Sequence, residues 1–363
     1  MLRRREFLSA SLALLAMPTT GLLAQEGAKP AVPTVKPAPL KIGFLGGAHS
    51  HGLGKVKVLQ ESPEEWEIIG LLDESEAVRA VYEKAGVKPI QEEELMADAD
   101  VIAVESDVRD HYRHAKQALE AGKHVHLEKP PSMTLEEFQE ISAIAASKKR
   151  LVQLGYMWRH NPGINAALEI ASKGWLGDIY LVKAEINKLQ SAEDRLMNNF
   201  PGGTMFELGC HVIDPVVRLL GRPLKVDTYL KHSGPFDDKI LDNTIAVFDY
   251  PKVTAIIGSA ILHPAGGSHR HLHIYGTNGT ALVKPLDRPK LELELKDAAG
   301  PYKKGRQTIE FPPYRRYVGE FAELAAAIRS GRPLSVSPES DFLVQEALLR
   351  ACAAMDEKRG TAK

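Results

Sequence analysis

Cysteine is almost missing from this chain: there are two in 363 residues, too few to staple a fold of that length, which excludes the disulfide-rich class. An excess of one charge is missing as well. Lys plus Arg is 46 against 47 for Asp plus Glu, a formal net charge of -1, whereas a nucleic-acid partner would call for a basic excess or stripe. No repeat of fixed period runs through the chain, so solenoid and collagen-like architectures drop out. A membrane-spanning run is lacking too: the apolar stretch Leu8 to Leu23 is short and broken by Pro18 and Gly21. What is present is 44% hydrophobic and 26% charged residues, near the globular average and enough for real cores. At about 100–200 residues per domain the length predicts two domains.

The first residues read as an address. Arg3, Arg4 and Arg5 precede the apolar stretch, and Leu22-Leu23-Ala24 offers a small residue for cleavage. Arg4-Arg5-Glu6-Phe7-Leu8 resembles the R-R-x-F-L of a twin-arginine (Tat) export signal. Residues 1–24 are therefore expected to be a signal peptide, and 25–39, with Pro30, Pro33, Pro37 and Pro39, an extended linker. Export implies a periplasmic protein. It would place Cys210 and Cys352 in an oxidising compartment, where a disulfide between them stays open; their separation in sequence favours two buried free thiols.

From Leu40 the pattern alternates strand and helix. Lys41 to Leu45 is a buried strand entering a Gly46-Gly47 turn, and Trp66 to Leu72 is a second strand ending at Asp73. Asp100 to Val104 and His124 to Leu127 are further strands, and helices are expected over 51–61, 74–85, 111–120 and 135–148. This β-α-β-α order predicts a Rossmann-type, doubly wound parallel sheet over 40–150. A dinucleotide site there needs glycines for close backbone approach, a helix N-terminus for the pyrophosphate, and an acid at the end of the second strand for the ribose hydroxyls. Asp73 supplies the acid and favours NAD over NADP, since a 2′-phosphate would be repelled. The G-x-G-x-x-G pattern is imperfect in either register: Gly46, Ala48 and His51, or Gly47, His49 and Gly52.

Ala121-Gly122-Lys123-His124-Val125-His126-Leu127-Glu128-Lys129-Pro130 resembles the A-G-K-H-V-x-x-E-K-P signature of the Gfo/Idh/MocA oxidoreductases, named after glucose-fructose oxidoreductase and inositol dehydrogenase. Ser106 and His111 are similar in position to the Thr and His of that family's T-P-x-x-x-H segment, with Asp107 in place of Pro. Glu207-Leu208-Gly209-Cys210-His211-Val212-Ile213-Asp214 resembles its D-x-G-x-H-x-x-D segment, with Glu for the first Asp, and the stretch from Arg315 to Gly331 resembles its closing helix. The resemblance implies a second α/β domain over 151–363 with a large, mostly antiparallel sheet that makes a homo-oligomer. Strand-like runs at 179–186, 224–231, 243–248, 253–259, 269–275 and 291–295, with a turn at Gly276-Thr277-Asn278-Gly279, agree with it.

The resemblance also implies roles. Lys129 is the cationic donor beside a reacting hydroxyl and His211 the acid/base. Glu207, four residues before His211, is expected to share a helix face with it and orient the imidazole. Gly46, Gly47, Ala48, His49, His51, Asp73, Ser106, His111, Glu128 and Lys129 would hold NAD, with NADP less favoured. Tyr156 and Arg159, beside Trp158 and His160, would contact a sugar or polyol, and Asp214 would bind its hydroxyls or brace a local network. His269, His271 and His273 alternate on one expected strand, roughly 7 Å apart, too far for one zinc, so they line an interface or wall and no metal is expected. The run Gln91 to Glu94 is a solvated helix face. An exported enzyme would load its cofactor in the cytoplasm, keep it and recycle it. Net sugar oxidation, epimerisation and glycoside cleavage through transient oxidation all stay open, as does a non-catalytic carbohydrate binder on the same fold.

Overall fold

The computed structural model describes residues 37–353; the expected signal peptide and nearly all of the linker lie outside them. Strand β1 (Leu40–Leu45) buries its last four residues and β3 (Val101–Val104) all of its own, as expected for strands covered on both faces. With β2 (Trp66–Leu72), β4 (His124–Leu127) and β5 (Val152–Leu154) they form one parallel sheet ordered β2-β1-β3-β4-β5. The sheet thus takes in β5, beyond residue 150. Helices α1 (Gly52–Gln60), α2 (Glu76–Lys84), α3 (Glu92–Asp98), α4 (His111–Glu120) and α5 (Leu135–Lys148) supply the crossovers. Thr134 caps α5 by accepting from the Glu137 N–H, while Glu137 returns the bond to the Thr134 N–H. The strand order reverses between β1 and β3, so their C-terminal ends border the crevice where doubly wound sheets bind ligands.

After α6 (Pro162–Ser172) the chain builds the second sheet: β6 (Ile179–Asn187), β7 (Lys225–Lys231), β8 (Asn243–Asp249), β9 (Thr254–Ala260), β10 (His271–Gly276), β11 (Gly279–Val283), β12 (Lys290–Leu295) and β13 (Gly305–Glu310). Their order is β13-β12-β11-β10-β6-β9-β8-β7. Only the β6–β9 pair is parallel. Burial alternates residue by residue in β8, β9 and β10, which gives one face to the core and leaves the other outward. The Gly276–Gly279 turn joins β10 to β11 with Tyr275 opposite Thr280. The expected strand at 269–275 is shorter than read: His269 closes the four-residue helix α8 (Gly266–His269), so only His271 and His273 lie on β10.

Between β6 and β7 a π-helical turn, Met205–Gly209, runs directly into α7 (Cys210–Leu220), buried from Cys210 through Val217. The closing helix α9 (Val318–Ser330) returns to the first sheet. There Phe321 meets Trp66 and His126 at ring separations of 5.7 and 4.8 Å. Helix α10 (Pro338–Cys352) follows. Both cysteines are free and buried. No helix among the described residues is long and apolar enough to cross a membrane.

One buried charge in α9 gives the fold a pH signature. Both carboxylate oxygens of Glu320 lack partners, and burial pushes its pKa from 4.5 up to about 7. With the folded value raised, the contribution is fully present below about pH 4.5 and disappears as pH rises through about 7. Glu320→Gln should therefore be more stable than wild type at pH 8, by on the order of 2 kcal/mol, and should not be at pH 4.5. Urea midpoints at the two pH values check this; an unchanged difference would contradict it.

Candidate functional site

The turn after β1 is shaped by one glycine above all. Gly46 has φ +76°, and a Cβ there would lie 2.4 Å from Ser106 Cβ and 2.6 Å from Ser106 Cα. The turn can therefore pass against the end of β3 only without a side chain. Asp73 anchors the same turn from β2: its carboxylate accepts from the Gly47 N–H and the Ser75 N–H, each at 2.8 Å. A cleft of about 330 Å³ opens beside them, lined by Gly46, Ala48, Asp73, Ser75, Ser106 and Asp107 among others. Ser106 Oγ is buried there without a partner. His111, expected at the cofactor, is wholly buried behind it. Its Nδ1 lies 2.7 Å from the Pro130 carbonyl and its Nε2 3.1 Å from that of Ser106. Burial lowers its pKa to about 4, so at pH 7 the ring is neutral and its single N–H donates to one of these two carbonyls.

At the ends of β3 and β4 lies a largely buried cluster of charges, in which Glu207 and His51 keep some exposure. Lys129 Nζ donates to Glu207 Oε1 at 2.7 Å and to the Glu207 carbonyl at 2.9 Å. His49 Nε2 stands 3.6 Å from the same carboxylate. Burial opposes the charges, but each partner outweighs it: Lys129 is held above its ordinary value and Glu207 falls to about 2. Glu128 faces the other way. Its Oε1 accepts from the Lys129 N–H at 2.9 Å, and its Oε2 contacts His51 Nδ1 at 3.2 Å and the Lys55 ammonium. Lys55 also donates to Glu105 Oε1 at 2.5 Å. Burial is overcome again at Glu128, which Lys55 and then His51 hold well below the usual range. At Glu105 burial wins and the pKa rises to about 7.

His211 forms the facing wall. Its ring centroid lies 5.7 Å from that of Trp158, 5.9 Å from His51 and 6.2 Å from Tyr156. Neither His211 Nδ1 nor Tyr156 Oη has a partner. Burial, with the Lys129 charge adding, keeps His211 far below its ordinary pKa, and burial lowers His51 to about 4. Both imidazoles are therefore neutral at pH 7 and able to accept a proton.

Two expectations change. Glu207 does not orient His211; its carboxylate goes to Lys129 and His49. The reason is the π-turn, whose i→i+5 spacing removes the i, i+4 alignment that the α-helical reading assumed. Arg159 and Asp214, expected to face substrate, hold each other: the guanidinium lies 2.7 and 3.0 Å from Asp214 Oδ1 and 2.6 Å from Asp341 Oδ1 on α10. They brace α7 against α10, so of Asp214's two readings the network is what the structure contains. The histidine cluster also differs from the strand triplet. Ligand atoms of His49, His51 and Glu128 lie within 4.8 Å of one another. Glu128 Oε2 there already holds the Lys55 ammonium, and His49 Nδ1 accepts from the His51 N–H.

The sequence reading missed Lys55, Glu105 and Tyr317. Lys55 sits on an amphipathic helix where a lysine reads as solvent face, yet it is fully buried. Glu105 did leave a signal, a charge immediately after the four apolar residues of β3. Tyr317, left-handed at φ 69°, places its ring 5.7 Å from both His51 and the Lys55 ammonium.

Two family models cover most of the described chain: an oxidoreductase family with an NAD-binding Rossmann fold matches residues 40–156, and a GFO/IDH/MocA C-terminal domain matches 164–282. The chain belongs to the GFO/IDH/MocA oxidoreductases. Among relatives, scyllo-inositol 2-dehydrogenase (NADP(+)) IolW of Bacillus subtilis is 26% identical over 348 residues, 88% of this chain and 95% of that one. D-glucoside 3-dehydrogenase of Escherichia coli is 31% identical over 157 residues, 42% and 45% of the two chains. Two solved structures share the fold: a levoglucosan dehydrogenase in complex with NADH and levoglucosan (TM-score 0.73, 18% identity, 86% of this chain and 97% of that one), and UDP-N-acetylglucosamine 3-dehydrogenase GnnA from Acidithiobacillus ferrooxidans (0.71, 17%, 86% and 96%).

The first sheet of this GFO/IDH/MocA chain fits an NAD(P)-type dinucleotide. The Gly46 cradle would be filled by a Cβ, Ser106 Oγ is unpartnered beside the cleft, and Asp73 is fixed at the end of β2. Gly46→Ala should weaken NAD+ binding at least tenfold and destabilise the fold by roughly 1–3 kcal/mol. Gly122→Ala, also at positive φ but with nothing within 4 Å, should destabilise by only about 1 kcal/mol and leave binding unchanged. Calorimetric titration and thermal unfolding of both variants make the test.

Proposed function

We propose that this protein oxidises a secondary hydroxyl of a sugar or polyol, with NAD as hydride acceptor. The observation that carries the reading is the buried Lys129–Glu207 pair beside the neutral, unpartnered His211, at the C-terminal edge of a dinucleotide-type sheet. A nicotinamide dinucleotide, when bound, supplies the hydride acceptor. Lys129, kept cationic by Glu207, donates a hydrogen bond to the reacting oxygen and stabilises the negative charge that grows there. His211 accepts the hydroxyl proton; its low pKa keeps the lone pair available at neutral pH. Tyr156, with its Oη unpartnered and its ring perpendicular to that of His211, hydrogen-bonds a further substrate hydroxyl. The relatives' named substrates, an inositol, a glucoside and levoglucosan, support a polyhydroxylated ring.

Asp73 supports NAD over NADP because a 2′-phosphate would sit against its carboxylate. The Arg4-Arg5 leader supports export to the periplasm with the cofactor loaded beforehand and retained. The outward face of the second sheet, with Tyr180, Tyr229 and Ile245 exposed, supports assembly into a homo-oligomer.

The test is turnover of NAD+ with inositols, hexoses and glucosides, followed at the nicotinamide absorbance. Wild type should reduce NAD+ with at least one of them. Lys129→Met and His211→Ala should each lower kcat by about 10²–10⁴-fold while staying folded. Asp73→Ser should shift the NADP+/NAD+ ratio of kcat/KM upward at least tenfold. A wild-type protein that neither binds a dinucleotide nor reduces one with any sugar would overturn the proposal.

A further inference from the structure

Lys55 is the buried cation that the reaction scheme leaves without a task. It lies in the first turn of α1, fully buried, and its ammonium is enclosed by Glu105 and Glu128. A lysine in such a place is destabilising unless its charge is fully paired. It is paired here with the carboxylate immediately before the catalytic lysine.

We propose that Lys55 is a positioning residue: by holding Glu128 as an anion it fixes His51 in the Nδ1–H form, leaving His51 Nε2 free to relay the substrate proton from His211 toward solvent. The inference rests on the oxidoreductase reading of the same site. Glu128 Oε1 is taken by the Lys129 N–H, and Oε2 faces both the Lys55 ammonium and His51 Nδ1. An anionic carboxylate has no hydrogen to give, so the hydrogen in the His51–Glu128 contact resides on Nδ1. The lone pair of the ring is then at Nε2.

The placement of His51 suits a relay. Its ring is next to His211, with centroids 5.9 Å apart, and its side chain keeps 15% exposure while Glu128 and Lys55 have none. Oxidation of a carbinol breaks its C–H bond, with both electrons leaving for the nicotinamide acceptor. It also breaks the O–H bond, and that proton passes to His211, then to His51 Nε2, then to water. Each turnover in the oxidative direction thus releases one proton by this path. The charged and titratable groups facing His51 are Glu128 and Lys129 from the end of β4, His49 from the turn, Lys55 from α1, His211 from α7, and Tyr317.

The experiment begins with nitrogen-15 NMR of histidine-labelled wild-type protein without substrate, the His51 signals assigned by loss in His51→Gln. At neutral pH, Nδ1 should resonate as a protonated ring nitrogen and Nε2 as an unprotonated one. Lys55→Met should move His51 away from that pattern and lower kcat on the order of 10–100-fold, the range for orienting partners, with KM changed less than twofold. Lys55→Met/Glu105→Gln, which removes the buried ammonium together with its second carboxyl partner, gives the same readouts if the single variant fails to fold. A wild-type His51 protonated at Nε2 overturns the proposal, as does a folded double variant with wild-type His51 shifts and kcat. Failure of the oxidoreductase reading shows separately, as no turnover in wild type, while the tautomer is still read without substrate.

Discussion

The site depends on one constraint: two lysines and three carboxyl groups are taken wholly or largely out of water together at the junction of the two sheets. Lys129 leaves β4 of the first sheet and meets Glu207 from the turn before α7, which packs under the second. Either charge alone would be destabilising there, because an unpaired buried ion loses several kcal/mol of solvation. Together they join the two sheets by a contact whose members the proposed reaction uses. Glu128 and Lys55 repeat the arrangement one residue away, facing the opposite direction. The imidazoles of His51 and His211 sit beside these pairs and are kept neutral mainly by burial, so they remain proton acceptors. Pairing fixes the charges, and burial sets the neutrality of the bases.

Much of this was legible in the sequence. Continuous apolar runs ending in Gly46-Gly47, Asp73 and Glu128-Lys129 marked strands whose C-terminal ends carry polar residues, the pattern of a doubly wound sheet. Helices α4 and α5 start and stop at the expected residues because His111–Glu120 and Leu135–Lys148 carry helical periodicity closed by Gly122 and opened by the Thr134 cap. What the sequence hid depends on non-local geometry. Lys55 reads as a surface lysine until Glu105 and Glu128, 50 and 73 residues away, arrive around it. Glu207 and His211 read as helical neighbours, and only the π-turn, which propensity does not reveal, separates them. Arg159, Asp214 and Asp341 come from three distant segments, and each looks free until α10 closes on α7.

The departures from the usual glycine pattern take on meaning in this setting. His49 and His51 occupy glycine-pattern positions, and both turn inward to the carboxylates of Glu207 and Glu128. The turn keeps the left-handed glycine it needs at Gly46 and uses its other positions to bring imidazoles to the charge cluster. The six residues Gly46 to His51 thus contribute both to the wall of the dinucleotide cleft and to the charge cluster.

The central claim is that this cluster supports hydride transfer from carbon. It is tested most directly by isotope tracing with a sugar substrate deuterated at the carbon that becomes oxidised. The account predicts that the deuterium appears on the nicotinamide ring, one per molecule of ketone formed, with a primary isotope effect on the chemical step. Deuterium recovered in water instead, with none on the nicotinamide, would mean that the carbon loses a proton and not a hydride. That result would contradict the account.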